Sequence, residues 1–91
     1  MTEHEGQAVL TRKRAETIYN GWETWIGVIF YAGDNWHKYQ LIRSTLTCFY
    51  SNDREPKYVW NVRDVLISQD WLTIITDCDL EIRFRIKGES R

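Results

Sequence analysis

Histidine and cysteine are the side chains best suited to acid–base, nucleophilic or metal chemistry, and this 91-residue chain has two of each: His4, His37, Cys48 and Cys78. Neither cysteine stands in a C-x-x-C motif or at ligand spacing from a histidine, which argues against zinc. Both read as small buried thiols, and a disulfide is disfavoured in a reducing compartment. His37 follows Trp36 beside the Gly33-Asp34 turn, with no Ser or Cys placed to form a dyad. It reads as a solvent-facing histidine. Asp77, Asp79 and Glu81 alternate as ligands of a hard cation would, but the glycine and distal bidentate glutamate of a calcium loop are missing. They read as solvated turn carboxylates. Gly21, Gly27 and Gly33 are isolated, so there is no phosphate-cradling loop. The expectation is a non-enzymatic protein with no cofactor and no metal. A lesser alternative centres an active site on His37 and nearby acids.

What remains is recognition chemistry. In Leu80–Lys87, Leu80, Ile82, Phe84 and Ile86 take one parity, and Glu81, Arg83, Arg85 and Lys87 take the other. Alternation this strict describes a strand with one buried and one wet face. It lines three cations along a single exposed surface. A three-residue loop at Asp77-Cys78-Asp79 sets Leu72 opposite Phe84, Ile74 opposite Ile82 and Thr76 opposite Leu80. Trp71 then faces Arg85, Thr73 faces Arg83 and Ile75 faces Glu81. A two-residue loop would mix apolar and charged groups, because a one-residue slip flips every side chain. The chosen register yields a Trp–Arg contact of the cation–π kind. Arg43 is expected to join this group from the long strand over 36–50. Trp25 is expected on the face of a 15–26 hairpin opposite Tyr19 and Trp22, so that strand is covered on two sides or a Trp is left outside.

Such a surface fits two partner classes. Trp and Arg are hot-spot residues at protein interfaces, and aromatics beside cations also stack single-stranded nucleic acid or bind a nucleotide. Twelve Lys+Arg against thirteen Asp+Glu give a formal charge of −1, which favours a protein partner, since nucleic-acid domains usually run basic. The reading is a small module, of accessory or inhibitor type, that docks on a protein through Trp71, Arg83, Arg85, Lys87, Arg43 and Trp25. Arg12-Lys13-Arg14 is a second basic cluster, read as ordinary surface. No run of apolar residues is long enough to span a membrane, and the acidic N-terminus lacks the order of a signal peptide. The expected location is the cytosol. Monomer and homodimer are both compatible with an exposed sheet edge.

The elements that must position these residues are mostly strands. The length allows one core, and the expected organisation is a tail over 1–7, a single β domain over 8–88 and a frayed end over 89–91. The five tryptophans, Trp22, Trp25, Trp36, Trp60 and Trp71, could supply most of the core burial between them, with one or two partly exposed. Asn20-Gly21 suggests a type I′ hairpin over 15–26, pairing Tyr19 with Trp22; the competing reading makes 7–20 a helix. Trp25–Tyr31 reads as a central strand. Trp36–Tyr50 reads as one long strand that bends to serve two sheets. Ser51–Pro56 is a polar loop, Tyr58–Val62 a strand, and 63–68 either its extension or a short helical turn capped by Asp64. The fold class is therefore mostly β: an antiparallel meander of five to six strands curled into a barrel-like sheet.

Overall fold

The computed structural model describes residues 9–32, 37–50 and 53–87. The tail over 1–7 with His4, the turn at Gly33-Asp34-Asn35, Trp36, Ser51-Asn52 and the end over 88–91 lie outside the described residues. The described residues form seven strands and one helix, in order β1 (Val9–Leu10), α1 (Arg12–Gly21), β2 (Ile29–Ala32), β3 (His37–Ile42), β4 (Thr45–Tyr50), β5 (Tyr58–Ile67), β6 (Trp71–Thr76) and β7 (Glu81–Ile86). The sheet order is β1-β7-β6-β5-β4-β3-β2. Neighbours are antiparallel except β1, which runs parallel to β7. The sheet curls into a nearly closed barrel.

The bend is made by β5. Its first half pairs with β4, its second half with β6, and the register shifts between Val62 and Asp64. A bulge of this kind adds twist and re-aims a strand, so one strand serves two halves of the sheet. That role was expected of residues 36–50, which instead fold back as the β3–β4 hairpin. Ile42 pairs with Thr45, and the two loop residues Arg43 and Ser44 have φ of 49° and 68°. This is the left-handed pair that a two-residue hairpin loop needs, made without Asn or Gly. Of the two readings of 63–68, the strand extension holds: β5 runs on to Ile67 with no helical turn. Asp64 Oδ1 accepts the Val65 N–H at 2.9 Å, a local bond inside the strand rather than a helix cap.

Asn20-Gly21 makes no hairpin. Residues 12–21 are helical, with Thr11 as N-cap accepting the Arg14 N–H on its hydroxyl at 3.1 Å. Ala15 and Ile18 are completely buried, and Trp22 packs against the same cluster. Spacing of three and four residues puts these on one helical face. The barrel interior offers that face a partner, and the burial outweighs the turn preference of a dipeptide.

Inward side chains of all seven strands and α1 form one core. Phe84 of β7 meets Phe30 of β2 at 4.2 Å and Tyr39 of β3 at 5.2 Å, both edge to face. These contacts tie the two ends of the curled sheet together. Among the described residues tryptophan does not build this core. Trp22, Trp25 and Trp60 pack against it from its margin, half-buried, and Trp71 is half-buried on the outer surface. The buried positions are held mainly by Ile, Leu, Val and Phe, which strand alternation directs inward. The segment read as a central strand is a short edge strand: Val28 and Phe30 are buried, while Ile29 and Tyr31 are 52% and 54% exposed. Cys48 is buried as expected, but Cys78 is exposed in the β6–β7 turn. His37 is buried rather than solvent-facing. It stacks on Tyr50 at 4.4 Å and meets Tyr39 edge-on.

Candidate functional site

The β6–β7 hairpin has the register argued from parity. Trp71 pairs with Arg85, Leu72 with Phe84, Thr73 with Arg83, Ile74 with Ile82 and Ile75 with Glu81. The Thr76 N–H donates to the Leu80 carbonyl at 3.0 Å, closing the three-residue loop. Asp79 takes the positive φ, 69°, that lets such a loop turn. Leu72, Ile74, Ile82 and Phe84 are completely buried. Their neighbours in sequence are therefore forced onto the outer face.

On that face the Arg83 guanidinium lies 4.8 Å from the centre of the Trp71 ring, and the Arg85 guanidinium 5.4 Å. Both fall within the range of cation–π attraction, about 0.5–1 kcal/mol each at a solvent-exposed site. Trp71 and Arg83 are half-buried and Arg85 is exposed. The aromatic ring thus holds two cations on the wet side of the sheet.

The turn before β6 fixes the tryptophan. The Ser68 N–H donates to the Trp71 carbonyl at 2.8 Å, and the Trp71 N–H donates to Ser68 Oγ at 3.0 Å. From α1, the Arg12 guanidinium donates to the carbonyls of Ser68 and Gln69. The Ile86 N–H donates to the Asp70 carbonyl at 2.8 Å. Arg12 therefore belongs to the support of the site and not to a generic basic surface. Its partners lie 56 and 57 residues away in sequence, so no local pattern could mark it.

Lys87 is exposed just past β7, and its N–H donates to the Leu10 carbonyl. It extends the cationic row. Arg43 and Trp25 are placed elsewhere. The Arg43 N–H donates to the Trp25 carbonyl at 2.9 Å, and Ser44 accepts from Val62, which pairs with Thr76. Trp71 starts the strand that Thr76 ends, five residues or about 17 Å away. That exceeds the reach of an arginine side chain. Trp25 also packs its ring on the core, and its indole Nε1 is buried without a hydrogen-bond acceptor among the described residues. The structure brings Trp71, Arg83, Arg85 and Lys87 together, and leaves Arg43 and Trp25 as a separate pair.

A second aromatic group went unmarked in the sequence reading. Tyr58 stacks on Trp60 at 5.4 Å and meets Tyr50 at 6.0 Å, with the Lys57 ammonium 5.6 Å over the Tyr50 ring. The i,i+2 spacing of Tyr58 and Trp60 was the available signal, and it placed both on one strand face. Their adjacency to Tyr50 depends on β4–β5 pairing.

Among the described residues no three His, Cys, Asp or Glu side chains gather where they could hold a metal ion. Likewise, no described helix is long and apolar enough to cross a membrane. Burial pushes the Cys48 thiol above its ordinary value, partly countered by a hydrogen bond with Tyr39. Comparison of the chain with known protein families, curated proteins and solved structures finds no match.

Proposed function

We propose that this protein is a non-enzymatic binding module of the cytosol, of accessory or inhibitor type, that docks on a protein partner through the outer face of β6 and β7. The observation that carries the reading is the Trp71 ring with the guanidinium groups of Arg83 and Arg85 against it on a solvent-facing sheet surface. A pre-packed aromatic–arginine cluster loses little side-chain freedom on binding. Trp and Arg are also the residues that carry most interface energy. The positive end of the face, continued by Lys87, suits an acidic segment of the partner.

Two features weigh against single-stranded nucleic acid on the same surface. Base stacking needs an open ring, and the Trp71 ring is already engaged by two guanidinium groups. A phosphate track also needs a run of cations, whereas Glu81 and Asp64 occupy the row beyond Arg83.

The test is capture from a lysate on the immobilised chain, comparing wild type with Arg83→Glu/Arg85→Glu. Acidic partners retained by wild type, released by salt and lost in the variant are the expected result. Identical capture by both proteins refutes the reading. A parallel titration with a single-stranded oligonucleotide at low salt is expected to leave Trp fluorescence unchanged. Salt-reversible quenching would transfer the face to nucleic acid.

A further inference from the structure

The outer face of β6 and β7 is electrically polarised along its strands. Register places three rows across it. Trp71 and Arg85 share the first row with Val9 of β1. Leu66, Thr73 and Arg83 share the second, and Asp64, Ile75 and Glu81 the third. Lys87 lies beyond the cationic row, and the exposed Asp77 and Asp79 lie beyond the acidic one. Asp79 is paired with Arg63. Arg85 and Glu81 stand four positions apart, about 13 Å of strand.

A face with this pattern is complementary to itself. Consider a two-fold axis lying in an interface between two copies and crossing the strands at the level of Thr73. It carries the first row of one copy onto the third row of the other. Arg85 then stands opposite the second copy's Glu81, and Trp71 opposite the second copy's Ile75. An axis along the strands would instead keep each row on itself: over β7 it opposes Arg85 to Arg85 and Glu81 to Glu81, and over β6 it opposes Glu81 to Asp64. Charge therefore selects one orientation, and a net charge of −1 adds little overall repulsion.

The geometry points to a weak, salt-sensitive homodimer in which a second copy of this chain covers the β6–β7 face in that antiparallel orientation. The inference stands apart from the partner reading but concerns the same surface, because the second copy covers Trp71. The dimer is the closed form of the docking face. Three strands about 4.8 Å apart and five residues long project to roughly 240 Å² per copy, against about 800 Å² per partner in a standard interface. The association is accordingly weak. Arg83 sits on the axis, where two like charges approach. Its guanidinium leans toward the first row, over Trp71, and the residual repulsion opposes the dimer.

Sedimentation equilibrium of the full chain at concentrations up to about 0.5 mM, in about 0.02 M and about 0.5 M salt, tests this. The expected result is a concentration-dependent dimer in low salt that weakens at least about tenfold in high salt. Arg85→Glu and Glu81→Arg should each weaken it at least about tenfold, and Arg85→Glu/Glu81→Arg should return it to within about threefold of wild type. Arg83→Gln should strengthen it. A monomer at the highest concentration in low salt overturns the inference. So does a dimer that neither single reversal weakens, or one that the double reversal leaves broken. Arg85 and Glu81 are exposed, so the variants keep the fold, and circular dichroism checks that. The double reversal also separates the two readings. It should restore the dimer while capture of an acidic partner stays impaired.

Discussion

The β3–β4 hairpin turns on two residues in a conformation that L-amino acids resist. Arg43 and Ser44 hold φ of 49° and 68°. For a residue with a Cβ, the left-handed region costs roughly 1–2 kcal/mol. Asparagine tolerates it better, and glycine adopts it without steric cost. Replacing the pair by Asn-Gly, as R43N/S44G, relieves most of this. Against the gain, a glycine loses more backbone freedom on folding, about 0.5–1 kcal/mol. The turn's own hydrogen bonds are main-chain and survive: Arg43 N–H to the Trp25 carbonyl at 2.9 Å, and Val62 N–H to the Ser44 carbonyl at 2.8 Å. The net expectation is stabilisation by about 1 kcal/mol, which is about 4–8 °C in Tm for a domain of this size. Thermal and urea unfolding followed by Trp fluorescence would measure it, with the urea dependence unchanged. A lowered Tm refutes the reasoning, because the Arg43 side chain would then contribute more than the strain it imposes. Docking through Trp71 should be unaffected, since the Arg43-Ser44 turn lies near the Thr76 end of β6 and Trp71 starts that strand, about 17 Å away along it.

Phe84→Ala removes the ring that joins β7 to Phe30 and Tyr39, and should cost about 3–5 kcal/mol in urea unfolding. Against a total of only about 5–15 kcal/mol, that leaves the domain at the edge of folding. Thr11→Ala removes the α1 N-cap and should cost about 1 kcal/mol in the same assay. Cys78 should react with a thiol reagent in the native protein, and Cys48 only after unfolding; equal native rates would contradict the burial of Cys48. Desolvation also raises the Cys48 thiol above the ordinary 9.0, against the opposing Tyr39 hydrogen bond. Because the folded state holds that proton more tightly, its stabilising contribution is complete below about pH 9 and lost as pH rises above it. Cys48→Ala should flatten that alkaline slope in unfolding titrations.

The final hairpin was legible because its information is local and redundant. Buried Leu72, Ile74, Ile82 and Phe84 alternate with Thr73, Arg83 and Arg85, and only one register separates the two sets. The Trp71–arginine contact follows from that register with no further input. Asn20-Gly21 carried a strong local signal that misled. A dipeptide preference is small beside the burial of Ala15 and Ile18, and the surface receiving them comes from distant strands. Arg43-Ser44 carried no turn signal at all, since two unfavourable residues are held there by the pairing of β3 with β4. His37 read as exposed because its wall is Tyr50, thirteen residues on and one strand across.

By itself the amino-acid order determined the strand character of the chain, the single core, and the segregation of charge along β7, because each depends on a two-residue period written into neighbouring positions. Only tertiary structure decided where the sheet bends, that residues 12–21 coil to fill the barrel, that Arg12 braces the turn before Trp71, and that Arg43 and Trp25 stand apart from it. Those outcomes depend on which faces meet across long stretches of chain, and the free energy of that meeting exceeds any local preference.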